Sequence, residues 1–396
     1  MNSKNTALIR LARAGRGVAL ASALAALATS ALAQGFNSGS TGALGDVTID
    51  TNTTMDLPPD GILNYHSFKV NSGVTLRFNR NARNTPVFIL AQADVVIDGT
   101  IDISGSQATI NNGGVGGPGG FDGGRPGFGV GQIPAGDGYG PGAGRGGSDD
   151  NCDSAVSPGQ GAYGGRRGFG PTHGATYGSS LLINLIGGSG GGGGNDASKG
   201  GGGGGGALLL CSSTHVSMNG TILARGGGQR GCVNSGSGGA VRLVATKVDG
   251  AGIISVLDGN GNGEGRGRIR VDGIDLAGLT TTFQPVDARS IGSNLLSFPP
   301  VAPRLDTIEV AGNSIPVGTP NPTFFLPFNS TTNRTVRVQA RDFGRKVPID
   351  VVLTPTTGPA RHFQAEIDNT TTNPAVIDVP VQVPINSLVT VNAWTR

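Results

Sequence analysis

The sequence predicts an all-β protein: a short right-handed β-solenoid with a long glycine-rich insertion, followed by a small β-sandwich. Three observations predict it. Strand-like segments of one design recur through the middle of the chain. Glycine reaches 72 of 396 residues, well above its usual share of about 7%, without the strict every-third spacing of collagen. After residue 298 glycine becomes sparse, and short alternating apolar and polar runs follow one another between turn residues.

The recurring segments can be laid over one another. They are PVFILAQADVVIDGTIDISG (86–105), GALLLCSSTHVSMNGTILARG (206–226), GAVRLVATKVDGAGIISVLDG (239–259) and a truncated copy, GRIRVDGIDLAGL (267–279). Each holds a short apolar strand, a polar step, a second short strand and then glycine. The later copies start 33 and 28 residues apart, a spacing that suits coils which bury an apolar side only by stacking. Period-two alternation puts Phe88, Leu208, Val241 and Ile269 at one inward position, and Leu90, Leu210, Leu243 and Val271 at the next. The residues between them point outward, so Arg242 and Arg270 would stack at a strand spacing of about 4.8 Å unless their side chains splay. The same alternation also fits an antiparallel β-sandwich; the coil-like repeat favours the solenoid. Upstream, SFKVNSGVTLRF (67–78) reads as a hairpin or half-coil that caps the open end.

Between the first two copies, residues 106–206 hold 40 of the 72 glycines. A structureless loop of that length is unusual in a compact domain, so the segment reads as an excursion from one corner of the solenoid. Glycine is costly to order. Even so, Phe121, Phe128, Tyr139, Tyr163, Phe169 and Tyr177 are spaced through it, and SSLLINLIGG (179–188) is strand-like. These features favour a packed, extended layer over disorder.

The expected organisation is a leader at 1–33, an N-terminal β segment or cap at 34–85, and the solenoid at 86–297 with its insertion at 106–205. A proline-bearing linker at 298–305 and the sandwich at 306–396 complete it. That sandwich is immunoglobulin- or fibronectin-like in architecture only, because the cysteine–tryptophan–cysteine pattern of antibody domains is absent.

The leader pairs a basic start (Lys4, Arg10, Arg13, Arg16) with an Ala/Leu-rich core and an Ala31-Leu32-Ala33 cleavage pattern. It reads as a cleavable bacterial secretory signal. Its removal takes four of the 29 basic residues and none of the 26 acidic ones, leaving a net charge of −1. Nucleic-acid binding needs a basic surface, so that class is set aside. No later stretch is apolar enough to span a bilayer as a helix. The expected location is the cell surface or extracellular space of a bacterium, or its periplasm. Three cysteines allow at most one internal bridge: Cys211 falls in an apolar strand, which leaves Cys152 and Cys232 as the candidate disulfide.

Motifs that carry chemistry are few. His66, His173, His215 and His362 lie in different segments and form no ligand pair. The Gly-x-Ser-x-Gly match at Ser189 runs on into glycine rather than into the helix a nucleophile elbow requires. Asp258, Asn260 and Asn262 before Gly263 match the opening of a calcium loop, but Ile269 stands where its closing carboxylate should be. What remains is a weak calcium candidate of Asp258, Asn260, Asn262 and Glu264, against a plain polar turn; no other cofactor is expected. SDDNCD (148–153) is a second acidic cluster of the same standing.

The strand–glycine alternation of 86–105 and 239–259, with the glycine-rich segment between, resembles a group of exported glycine-rich bacterial proteins without assigned activity. The resemblance spans roughly 46–275 and brings no catalytic residues with it. More loosely, the coils are similar to adhesin passenger domains, and GGVGGPGG is similar to the polyglycine layers of some phage adhesins and antifreeze proteins. The flat threonine or alanine face of the latter is missing. The function expected is that of a secreted or cell-surface structural or adhesion protein without catalysis, binding a glycan, cell-surface or matrix component. The alternative is a polysaccharide-active enzyme that would depend on Asp98, Asp102 or Asp258, although general acid–base cleavage needs paired carboxylates that the repeats do not display.

Overall fold

A computed structural model describes residues 35–129, 133–148, 156–167, 171–228, 234–299, 301–356 and 358–395. The leader, Cys152 and Cys232 lie outside these residues. Asn37–Arg396 forms one compact unit.

Among the described residues, twenty-four strands and one short 3-10 turn (Val286–Ala288) carry the fold. In chain order the first eight strands are β1 (Asp46–Ile49), β2 (Thr53–Asp56), β3 (Ile62–Tyr65), β4 (Ser67–Val70), β5 (Thr75–Asn79), β6 (Val87–Ala91), β7 (Val95–Ile97) and β8 (Thr100–Asp102). After the glycine-rich region come β9 (Ala207–Ser212), β10 (His215–Met218), β11 (Thr221–Leu223), β12 (Ala240–Asp249), β13 (Ile253–Ser255), β14 (Arg268–Asp275), β15 (Thr282–Gln284) and β16 (Arg289–Gly292). The C-terminal strands are β17 (Arg304–Val310), β18 (Asn313–Ser314), β19 (Thr323–Phe325), β20 (Asn333–Arg341), β21 (Lys346–Pro355), β22 (Arg361–Asp368), β23 (Ala375–Gln382) and β24 (Leu388–Thr395).

All strands from β1 to β16 pair in parallel, which removes the antiparallel alternative for the repeats. The expectation of an insertion-bearing solenoid with an appended sandwich is also overturned. The larger sheet has ten strands in the order β1-β4-β7-β10-β12-β9-β6-β3, with β14 and β16 continuing from β12. The physical reason is β12. Its first half pairs with β9 (Ala240↔Ala207 to Val244↔Cys211), and its last residues pair with β10 (His215↔Lys247). One ten-residue strand therefore joins two ladders into a single, nearly closed, barrel-like wall. The remaining short strands form a six-stranded sheet, β15-β13-β11-β8-β5-β2. SFKVNSGVTLRF is accordingly no hairpin, since β4 and β5 belong to different sheets.

The core enclosed by these sheets is mostly aliphatic, with Tyr65 and Phe68 stacked within it. The register Val87↔Leu208↔Val241↔Ile269 places one buried residue from each strand at one level. Phe88 is thus not inward: it aligns with Leu209, Arg242 and Arg270 on the other face and lies against Phe298, with ring centroids 5.1 Å apart. Leu90 shares that face, and Ile89 occupies the core position. The two arginines stand opposite each other in register, and Asp272 bridges them. Arg242 Nη2 lies 3.1 Å from its Oδ2 and Arg270 Nη2 2.5 Å from its Oδ1, with Asp272 fully buried.

The described glycine-rich residues between β8 and β9 form extended chains packed side by side. A three-residue turn gives each chain three faces, and in 201–206 every face meets a neighbour. Gly201 and Gly204 abut Gly191 and Gly188, Gly202 and Gly205 abut Gly227 and Ala224, and Gly203 abuts Val115. A Cβ built at these five positions would lie 1.9–2.4 Å from a neighbouring backbone oxygen. Only glycine allows chains this close, and closeness lets the amides bond between chains. Gly124 N donates to Gly191 O (2.8 Å), Gly191 N to Gly202 O (2.9 Å), Gly202 N to Asn234 O (3.1 Å) and Gly201 N to Gly124 O (2.9 Å). These bonds satisfy backbone groups that burial would otherwise leave costly. The glycines that open the repeats continue the same packing into the sheet, because a Cβ on Gly239 or Gly267 would lie 1.9 Å from the oxygen of Gly206 or Gly239. SSLLINLIGG forms no strand; Leu182 is buried with Tyr163, Ala207 and Ala240, and Leu185 and Ile186 pack against them.

The C-terminal residues build two four-stranded antiparallel sheets, β18-β17-β20-β23 and β19-β24-β21-β22, around a shared core that includes Val336, Val338, Ile349, Val351, Val379 and Val391. They do not stand apart from the glycine layer. Arg125 reaches the carbonyl of Thr356, and Ala360 N donates to Asp137 Oδ2 (3.1 Å).

Candidate functional site

The residues singled out from sequence do not converge. Both carboxylate oxygens of Asp258 are taken by backbone amides, Oδ1 by Asn260 N (2.9 Å) and Oδ2 by Gly265 N (3.0 Å). Asn262 and Glu264 bond each other through Asn262 Nδ2 and Glu264 Oε2 (3.1 Å). The segment 258–265 is a self-satisfied polar turn, and among the described residues no group of three or more His, Cys, Asp or Glu side chains could hold a metal ion.

Three histidines each pair with one aspartate: His66 with Asp46 (2.7 Å), His215 with Asp249 (2.8 Å) and His362 with Asp350 (2.7 Å). His173 Nδ1 accepts from Gln160 N (2.9 Å). Ser189 Oγ accepts from Gly142 N (3.0 Å) and donates to the Tyr177 hydroxyl (3.0 Å), so it has no histidine base. Asp98 faces Lys69 (3.5 Å) and Asp102 faces Arg77 (3.0 Å). Cys211 is buried, which pushes its thiol up to about 12, and the Cys152–Cys232 candidate lies outside the described residues.

The structure instead assembles a site from distant residues, along the seam between the glycine layer and the C-terminal sheets. Three cavities of about 260, 210 and 540 Å³ follow one another there. Asn84, Phe121 and Asn321 line both the first and the second; Asp122 and Tyr139 line both the second and the third. Together they make a continuous cleft.

Each wall follows from local structure. Trp394 comes from β24, whose partner β21 sets Asp350 opposite it. Its indole meets the Phe121 ring edge to face, with centroids 5.2 Å apart and planes at 84°. Phe121 is held by the glycine layer, its N donating to Gly188 O (3.0 Å). Asn84, at φ 48°, accepts from Gly119 N (3.0 Å) and donates to Gly120 O (2.7 Å), which fixes that rim. Asp306 in β17 accepts from Arg304 Nη2 (3.0 Å) and Gly318 N (3.0 Å) through Oδ1, and its buried Oδ2 has no hydrogen-bond partner.

Further along, Arg80 pairs with Asp122, which also accepts from Gly116 N (2.8 Å). Burial raises the Tyr139 phenol, and the Asp122 charge adds to that effect. Asp137 is 4% exposed; burial raises its carboxyl above the usual range, opposed by the amides of Gly146 and Ala360. Burial lowers the Arg125 guanidinium, which donates to the carbonyls of Thr356, Pro134 (2.7 Å) and Pro126 (3.1 Å).

Chemically, the cleft offers flat aromatic surface beside fixed hydrogen-bonding groups. Among the described residues its carboxylates accept from Arg80, Arg304 or backbone amides, with Asp306 Oδ2 left over. Sequence reasoning missed it because Phe121 and Trp394 are remote in the chain; the one available signal was that Trp394 is the sole tryptophan.

Comparison of the chain with family models, curated proteins and solved structures gives no match. Among the described residues no helix is long and apolar enough to cross a membrane, which leaves β-barrels unaddressed.

Proposed function

We propose that the mature chain is a secreted or cell-surface structural and adhesion protein that holds a carbohydrate chain in the seam cleft. One observation carries the reading. Trp394 and Phe121 stand together at a cleft rimmed by Asn84, Asn321 and the half-satisfied Asp306. Sugar rings present apolar C–H faces that lie against aromatic rings, while their hydroxyls, as donors and acceptors, match amides and carboxylates. The glycine layer supports this use. Its interlocked backbone gives Phe121 a fixed position, so little ordering cost falls on the bound state. Export rests on the leader's basic, apolar and small-residue pattern.

The test is a glycan array probed with the mature chain, repeated with Trp394→Ala. Truncating a central aromatic of this kind weakens binding about tenfold or more, with unchanged circular dichroism and melting behaviour as the folding control. Retention of all binding by a folded Trp394→Ala variant would place the ligand elsewhere. Release of reducing sugar from a bound polysaccharide would replace the adhesion reading with an enzymatic one.

A further inference from the structure

Resting on the proposed carbohydrate cleft, we infer that the seam selects an anionic polysaccharide, one whose sugar rings carry carboxylates. Of the charged groups that line the cleft, Asp122 pairs with Arg80, and Asp306 takes Arg304 on one oxygen while the other stays buried without a partner among the described residues. Arg125 shares the third cavity with Asp122 and Asp137 and spends its donors on three backbone carbonyls. Arg83 lines the first cavity together with Phe121 and Trp394, is exposed, and among the described residues pairs with no carboxylate. The cavity with the aromatic pair therefore presents an exposed guanidinium to whatever enters it.

A neutral glycan would use the rings and leave Arg83 unanswered. A polyuronate would use both features, because its carboxylates recur along a chain whose ring faces remain apolar. Guanidinium matches carboxylate in a planar, two-bond geometry, which makes Arg83 the specificity-determining residue.

Binding of the mature chain to oligogalacturonate, to its methyl-esterified counterpart and to polyglutamate tests this, with Trp394→Ala and Arg83→Gln run alongside and Arg83→Lys as the partial rescue. Arg83 is exposed and among the described residues makes no side-chain hydrogen bond, so its replacement leaves the fold intact. The inference expects tighter binding to the free acid than to the ester, and weaker binding at higher ionic strength. Arg83→Gln should lose about tenfold for the acid and almost nothing for the ester. Trp394→Ala should lose affinity for both. Equal affinity for acid and ester, or an Arg83→Gln variant that binds the acid normally, overturns the inference while Trp394 dependence keeps the carbohydrate reading. Binding of polyglutamate as tight as the polyuronate and independent of Trp394 overturns both in favour of an acidic peptide. Binding to none of the three, with an array of neutral and acidic glycans equally blank, also overturns both.

Discussion

Replacing Gly191 by alanine puts a methyl group where the structure has no room for one. Its Cβ would lie 1.9 Å from the carbonyl oxygen of Asn234, which must retreat by about 1.5 Å to reach ordinary contact. That oxygen accepts from Gly202 N (3.1 Å), and Gly191 itself links Gly202 and Gly124 through its own N and O (2.9 and 2.8 Å). Overpacking of this sort costs about 1–3 kcal/mol, and a buried backbone group left without its partner adds roughly 1–3 kcal/mol. Against this, alanine restricts the unfolded chain and returns about 0.4–1 kcal/mol. The expected net loss is about 1–6 kcal/mol. With an unfolding entropy of roughly 2.1 cal/mol/K per residue, Tm falls by about 1–7 °C. Thermal and urea unfolding followed by circular dichroism measures it, with Gly228→Ala as control, since a Cβ there has a single neighbour at 3.3 Å. The reasoning is refuted if Gly191→Ala is as stable as the native chain or more so, because that is what alanine does in an unpacked segment.

Asp272→Ala leaves the buried Arg242 and Arg270 without their anion and should cost about 3–5 kcal/mol, read from the urea midpoint. Arg242→Met/Asp272→Leu/Arg270→Met together should cost much less, since no charge is then stranded. On acidification, carboxyls held below their usual range lose stabilising contacts: Asp46 through hydrogen bonds from Ser67 and His66, and Asp378 through Arg337. Their folded values lie below the unfolded one, so the contribution is complete above the unfolded value and disappears as pH falls through the folded one. The urea midpoint should therefore drop below about pH 4, and less steeply in Asp378→Asn; identical slopes would contradict the assignment.

What the sequence disclosed and what it withheld can be traced to particular residues. The all-strand character was legible because alternation in segments such as RTVRVQARDF is local. The phase of the first repeat was not, because PVFILA is apolar throughout and no polar residue marks its outward side; the structure slips it by one, to Val87 and Ile89. The merging of ladders through β12 was equally hidden, since AVRLVATKVD reads as two short strands until its two partners are known. Arg242 and Arg270 signalled a charge problem, and its solution stood two residues away at Asp272 without any pattern to assign it. The calcium-like run at 258–262 was legible as rich in oxygen groups, but both Asp258 oxygens accept from backbone amides of the same turn. For the glycines, the composition implied close approach, while the identity of each neighbouring chain is a property of the assembled layer. The cleft was the least legible part, because its aromatic pair joins residues 121 and 394.

The central structural claim is that the glycine segments form an ordered, interchain-bonded layer against which the cleft is built. Amide hydrogen exchange over residues 187–206 tests it most directly. In Gly188, Gly191, Gly193, Gly201 and Gly204 the N–H groups donate to other chains of the layer, so the account predicts protection comparable to that of β9 and β12. Complete exchange of this segment at the earliest time point, with the sheets still protected, would contradict it.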